Sequence, residues 1–210
     1  SLEYKTIIGD HKMRIALCNS GHLRSLEQNI DNQNGNLIKR NNCDVFIYTS
    51  DLSTHRSQDK KLYFEPTSDI HYNKRYTKGR GLVYSVCRDD ITNRLKTAYG
   101  DSLKKYVIES EQINDPNKEQ DPLRWEFHRV RQFYKIYQCN KLMHEFEKNN
   151  GFKYDVVMRG RTDIIFNKKI NVQRILDDYK GDLDKSVFIF GGWPDPKGVS
   201  RSRIGFFIKD

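Results

Sequence analysis

Arg159, Arg161 and Asp163 form a short polar break in Tyr154-Asp155-Val156-Val157-Met158-Arg159-Gly160-Arg161-Thr162-Asp163-Ile164-Ile165-Phe166. Apolar runs flank it, at 156–158 and 164–166. The first run reads as a buried strand and the second as the start of another. Unpaired charges are costly to bury, so these three heads must face a cleft, one another or a charged ligand. A carboxylate able to hold a divalent cation, beside two guanidiniums able to fork onto phosphate, suits a nucleotide diphosphate. An internal Arg–Asp ion pair at a strand end accounts for the same residues equally well.

The elements that must position this stretch follow from the rest of the pattern. Residues 13–18 read as a strand, and Asn19-Ser20-Gly21-His22 as a turn into a helix through Leu23, Leu26 and Ile30. Such a strand–turn–helix start presents backbone N–H groups to a nucleotide. It has one glycine, so neither the dinucleotide fingerprint nor the P-loop is present, and an ordinary βα turn would look the same. Residues 31–42 are rich in Asn and Gly and read as a loop. Residues 44–49 read as a second strand, ending at Ser50-Asp51. From 52 to 81 no period survives, and Lys74, Arg75, Lys78 and Arg80 alternate with Tyr72 and Tyr76. This stretch is expected to be a mobile flap over a site mouth.

Residues 82–98 read as a helix and 105–109 as a short strand. Asp121 as N-cap and Pro122 in the first turn open a long helix that Gly151 ends. Leu123, Phe127, Val130, Tyr134 and Tyr137 are its expected apolar face. Arg124, His128, Arg131 and Lys135 make a stripe beside that face, expected to be solvated. Arg131, nearest the core edge, is the member placed to reach a phosphate site. Asn171 caps a further helix through Val172, Ile175, Leu176 and Tyr179. Residues 186–190 and 204–208 read as strands. Between them, Gly192 and Trp193 suit a sugar, since glycine lets backbone approach and Trp offers a flat ring. A tight turn with a packed Trp is the alternative.

At 210 residues the chain fits one domain with a substantial core. Only 36% is apolar, but 11 Phe and 12 Tyr carry much of the burial. The formal net charge of +9 calls for an anionic partner: nucleic acid, membrane phosphate or a nucleotide sugar. That charge is dispersed along the chain, which weakens the nucleic-acid reading. Cys18, Cys43, Cys87 and Cys139 are too scattered for a zinc site or a disulfide framework, so a reducing, cytoplasmic setting is expected. No run is long enough to span a membrane, and the N-terminus has no apolar signal region. The chain stops two residues after its last apolar run, as a piece cut from a longer protein would. Strands alternating with helices predict a single α/β domain over 1–210, with a mostly parallel central sheet flanked by helices.

"YDVVMRGRTDIIF", following a helix that ends "KLMHEFEKNNGFK", resembles the strand-terminal R-x-R-x-D motif of GT-A-fold glycosyltransferases. "MRIALCNSGHLRSL" is similar to the opening strand and nucleotide loop of that superfamily, and "CDVFIYTSD" to its second strand. The specific resemblance is to nucleotide-sugar transferase domains of large DNA viruses of algae. It covers most of the chain in order, and only Arg159 to Phe166 is motif-like. The resemblance implies a GT-A-like, Rossmann-like fold and transfer of a hexose or 6-deoxyhexose, from a UDP-sugar, to a hydroxyl of a glycan or glycoprotein. Asp163 would be the surviving carboxylate of a metal-binding D-x-D, holding manganese or magnesium, with Arg161 in the place of the first Asp. Asp163 and Arg161 would act in catalysis. Ser20, Gly21, Arg24, Arg131 and Arg159 would hold the nucleotide diphosphate, and Gly192 with Trp193 the sugar or acceptor. A viral origin would place the protein in the host cytoplasm. The competing reading is a non-enzymatic basic module binding nucleic acid or another polyanion. It rests on the charge and on the Lys/Arg/Tyr mixture at 72–80, and has no helix-turn-helix, zinc or RNP pattern. No specific nucleic-acid partner is therefore expected.

Overall fold

The computed structural model describes residues 13–23, 26–55, 71–72, 82–110, 124–179, 187–190 and 204–208. Runs rich in β-branched and aromatic residues become strands, as their fit to a pleated surface dictates. In chain order these are β1 (Ile15–Ser20), β2 (Asp44–Ser50), β3 (Leu52–His55), β4 (His71–Tyr72), β5 (Leu82–Ser85), β6 (Leu103–Glu109), β7 (Val156–Gly160), β8 (Val187–Phe190) and β9 (Ile204–Ile208). The helices are α1 (Leu26–Gln33), α2 (Arg88–Tyr99), α3 (Arg124–Asn150) and α4 (Val172–Asp178). A π-helical turn, Asn34–Ile38, extends α1.

Six strands form the main sheet in the order β6-β2-β1-β7-β9-β8. The four from β6 to β7 run parallel. β9 is antiparallel to both β7 and β8. From β1 the chain moves outward to β2 and then β6, and later returns to lay β7 on the other side of β1. The strand order therefore reverses between β1 and β7, and open α/β sheets take their ligands at the carboxyl ends of such a pair. A small antiparallel sheet, β3-β5-β4, leaves the end of β2.

Alternation along the strands sorts the core into two layers. Ile15, Leu17, Val45, Ile47, Val156 and Met158 pack with α1 and α2 through Leu26, Ile91, Leu95 and Tyr99. Ala16, Cys18, Phe46, Tyr48 and Val157 face α3 through Cys139 and Met143. Fully burying a side chain such as Leu17, Phe46 or Met158 stabilises by about 1.5–3 kcal/mol. Gly151, at φ +67, ends α3 as its sequence predicts. Asn171 caps α4 by accepting from the Arg174 N–H at 3.1 Å. No helix among the described residues is long and apolar enough to cross a membrane.

Five expectations need correction. Residues 31–42 are not a loop: α1 and its π-helical turn run to Ile38, because Leu37 and Ile38 are fully buried. Helix does not start at 82. Leu82–Ser85 pairs with β3 as a strand, and α2 begins after an extended Cys87. Where the stretch 52–81 is described it is strand, Leu52–His55 and His71–Tyr72 forming β3 and β4 of the small sheet, and the rest of it lies outside the described residues. Residues 164–166 form no strand, because side-chain amides from α1 and the π-helical turn take their backbone groups. Finally, the buried face of α3 carries Lys135, Cys139 and Met143, while Tyr134 and Tyr137 are exposed. The helix crosses the sheet so closely that the Cys139 thiol lies 3.4 Å from the carbonyls of Asn19 and Phe46, a spacing no tyrosine fits. Leu123 lies outside the described residues, as do the side chains of Phe127 and Val130.

Candidate functional site

The carboxyl ends of β1 and β7 are drawn together at the reversal point. Asn19 pairs with Gly160 and Cys18 with Arg159 in the parallel register. A Cβ at Gly160 would run into the Asn19 carboxamide and stand 2.9 Å from Leu17 Cδ1, so only glycine permits this approach. Ser20 ends β1. Gly21 follows at φ +118, a conformation that L side chains rarely adopt. Its N–H donates to the Tyr48 carbonyl at 3.1 Å, so it extends the ladder and is not offered to a ligand.

Beyond β7 the three charged residues take different roles. Arg161 forks onto Asp163, Nε to Oδ1 at 2.8 Å and Nη2 to Oδ2 at 2.7 Å. That hydrogen bonding outweighs the cost of burial and raises the Arg161 pKa. Arg159 is half-buried and makes no hydrogen bond or ion pair among the described residues. Burial, and then the positive charge of Arg161, lower its pKa. By strand alternation Arg159 shares the α3 face with Val157, whereas Gly160 faces the Asn19 side chain. The stretch thus contains both the ion pair and a separate guanidinium held against a like charge.

The segment carrying Arg161 and Asp163 is irregular but bracketed. The Gln33 Nε2 group donates to the carbonyls of Arg161 at 3.2 Å, Thr162 at 3.1 Å and Ile164 at 2.9 Å. Asn32 both donates to the Phe166 carbonyl and accepts its N–H, at 3.0 and 2.7 Å. Asn36 adds a donor to Phe166, and Asn41 binds the Ile170 carbonyl. Thr162 Oγ1 donates to the carbonyls of His22 and Leu23, tying the segment to the turn after β1.

A second polar cluster closes the α3 side. Lys135 is 4% exposed, yet its Nζ lies 3.0 Å from Glu109 Oε1 and donates to Ser50 Oγ at 3.1 Å. Its assignment to a solvated stripe is corrected accordingly: α3 lays it across the ends of β2 and β6. Tyr48 donates to Glu109 Oε2 at 3.1 Å. His22 Nδ1 donates to the Leu52 carbonyl at 2.7 Å, with Ser50 Oγ 3.4 Å away. The buried ammonium and the part-buried carboxylate compensate each other here, so Lys135 is committed within the protein.

Of the residues read from sequence, Ser20, Gly21, Arg159, Arg161 and Asp163 gather at the β1/β7 ends. Arg131 lies on α3 one turn before Lys135, and its side chain lies outside the described residues. Arg24, Gly192 and Trp193 lie outside them too. The bracketing amides and the Lys135–Glu109 pair were not read as parts of the site. Asn and Gln clustering at 32–36 signalled them, because such residues stay helical only where their amides find partners.

Manganese or magnesium on Asp163 does not fit this donor set. Both carboxylate oxygens bind Arg161, and the trio carries two guanidiniums against one carboxylate. Such ions need several oxygen ligands. Among the described residues no group of three or more His, Cys, Asp or Glu stands together to supply them.

Compared with known proteins, the chain matches no family model, no curated protein and no solved structure.

Proposed function

We propose that the protein transfers a sugar from a nucleotide diphosphate sugar to a hydroxyl of a glycan or glycoprotein. One observation carries this reading. Arg159, a half-buried guanidinium with no carboxylate partner among the described residues, stands at the strand-order reversal of a parallel sheet. A guanidinium so placed suits a phosphate, and the crevice beside it is where α/β sheets take nucleotides. The R-x-R-x-D resemblance adds the sugar, and makes UDP the first carrier to try and a hexose or 6-deoxyhexose the first sugar.

In the reaction the bond between the anomeric carbon and the diphosphate oxygen breaks, and its electron pair stays on the departing diphosphate. The acceptor hydroxyl oxygen bonds to the anomeric carbon, and its proton passes to solvent. Negative charge grows on the leaving oxygen, and preorganised positive groups aimed at it lower the barrier. The chain's own contribution is Arg159 on a rigid strand and Arg161 held at a fixed angle by Asp163.

Thermal shift against a panel of UDP-, GDP- and TDP-sugars, followed by release of the free nucleotide with and without glycan acceptors, tests the proposal. Stabilisation by one donor class and acceptor-stimulated release are the expected results. If no nucleotide sugar stabilises or turns over, the reading fails.

A further inference from the structure

We infer that this site meets the charge of a diphosphate with the guanidinium of Arg159 and needs no divalent cation. The inference rests on the proposed sugar-transfer reading and names what replaces the metal within it.

Three observations lead there. First, Asp163, the carboxylate that would hold a cation, has each oxygen taken by a different nitrogen of Arg161, at 2.8 and 2.7 Å. To bind a metal it would have to do so beside a guanidinium whose bidentate, charge-assisted bonds already draw on both oxygens. Second, the trio of Arg159, Arg161 and Asp163 is net positive, so it repels an arriving divalent cation and draws in an anion. Third, among the described residues Arg159 has no carboxylate partner, unlike Lys135 and Arg161. Lys135 has Glu109 and Arg161 has Asp163, whereas Arg159 has the like charge of Arg161 beside it. An anion between Arg159 and Arg161 relieves both the burial of the first and the repulsion between the two. A cation relieves neither.

The geometry also divides the labour. Arg159 belongs to β7, fixed by ladders to β1 and β9. Asp163 is a positioning residue, holding Arg161 while leaving Arg159 available to the ligand.

Calorimetric titration of the whole chain with inorganic pyrophosphate and with UDP, in EDTA and in manganese chloride, tests this directly. The expected result is binding of both in EDTA, with affinity unchanged by manganese. Arg159→Met, which keeps the apolar stem, is expected to weaken both by about ten- to a hundred-fold, the loss of a charge-assisted contact. Arg159→Lys, which keeps the charge and loses the fork, should fall between. Binding that requires manganese and disappears in Asp163→Asn would overturn the inference while leaving the nucleotide-sugar reading standing. Pyrophosphate affinity equal in Arg159→Met and parent, with equal melting temperatures, would overturn the assignment to Arg159. Pyrophosphate binding in EDTA without any response to nucleotides would uphold the clamp and remove the sugar-transfer reading joined to it.

Discussion

The Asn19 carboxamide fills the space that a side chain at Gly160 would need, where β1 and β7 pair at the candidate site. Asn19 is 1% exposed, and its Nδ2 donates to the Tyr99 hydroxyl at 3.3 Å, so the amide has little room to turn. Gly160→Ala is therefore an overpacking change beside β-sheet backbone. It should destabilise by about 1–3 kcal/mol in urea unfolding. Adding Asn19→Ala should recover part of that loss, and strictly additive single and double variants would count against the contact.

Glu109→Gln should be more damaging than its partial exposure suggests. Glu109 is 21% exposed by side chain, but the Lys135 it neutralises is 6% exposed, and the change leaves that ammonium facing an amide. The expected cost is about 3 kcal/mol, the low end for breaking a buried pair. Lys135→Met leaves a carboxylate that can still reach water and accept from Tyr48, so it should cost less. Chemical denaturation of both variants gives the order, and the reverse order would show that Lys135 draws its compensation elsewhere.

Much of the fold was legible because it depends on local rules. Apolar runs gave β1, β2, β6, β7, β8 and β9, and Asn171 and Gly151 marked helix ends through caps that work in any context. What could not be read were features decided by tertiary contacts. Whether residues 164–166 pair as a strand depends on Asn32 and Gln33, about 130 positions away. Which stripe of α3 is buried depends on where the sheet admits only a small side chain such as Cys139. The alternative readings of Arg159 to Asp163 were both visible in the sequence, but spacing does not say which arginine pairs. The geometry gives the pair to Arg161 and leaves Arg159 without a hydrogen bond or ion pair among the described residues.

Asp163→Asn separates structure from binding. The Arg161 side chain is 41% exposed and that of Asp163 18%, so the pair is partly solvated. Its loss should cost about 1 kcal/mol, well short of a fully buried pair. One acceptor remains for Arg161 in the carboxamide. Melting temperature should fall slightly, and pyrophosphate binding should persist because Arg159 is untouched. A variant that melts like the parent but loses all anion binding would show that Arg159 alone does not hold the anion.

Buried thiols should make the fold alkali-sensitive. Burial, and secondarily Asp44, push Cys43 from 9.0 up to about 12. The unfolded chain gives up this proton near its ordinary value, so it binds fewer protons than the native state as pH rises between the two. Stability is then fully present below about pH 9 and declines above it, toward the native value. Cys43→Ala should flatten the fall in urea midpoint between about pH 8 and about pH 10 relative to the parent. Parallel slopes would assign the sensitivity to other groups, such as Cys18 or Tyr99, whose protons burial also helps to retain.

Gln33→Leu tests whether the bracket under the site matters to binding. One amide group serves the carbonyls of Arg161, Thr162 and Ile164, and leucine of similar size supplies no donor. Leaving these carbonyls without that donor should cost about 1–3 kcal/mol, since buried acceptors lose their partner and regain little water. The segment would stay attached through Asn32 and Thr162, so local loosening is expected and not wholesale unfolding. Hydrogen exchange should quicken over 161–166 while β1 and β7 stay protected. Pyrophosphate affinity should drop less than in Arg159→Met, because the bracket orients Arg161 and the sheet itself orients Arg159. A loss as steep as that of Arg159→Met would mean that the two guanidiniums work as one unit held by Gln33.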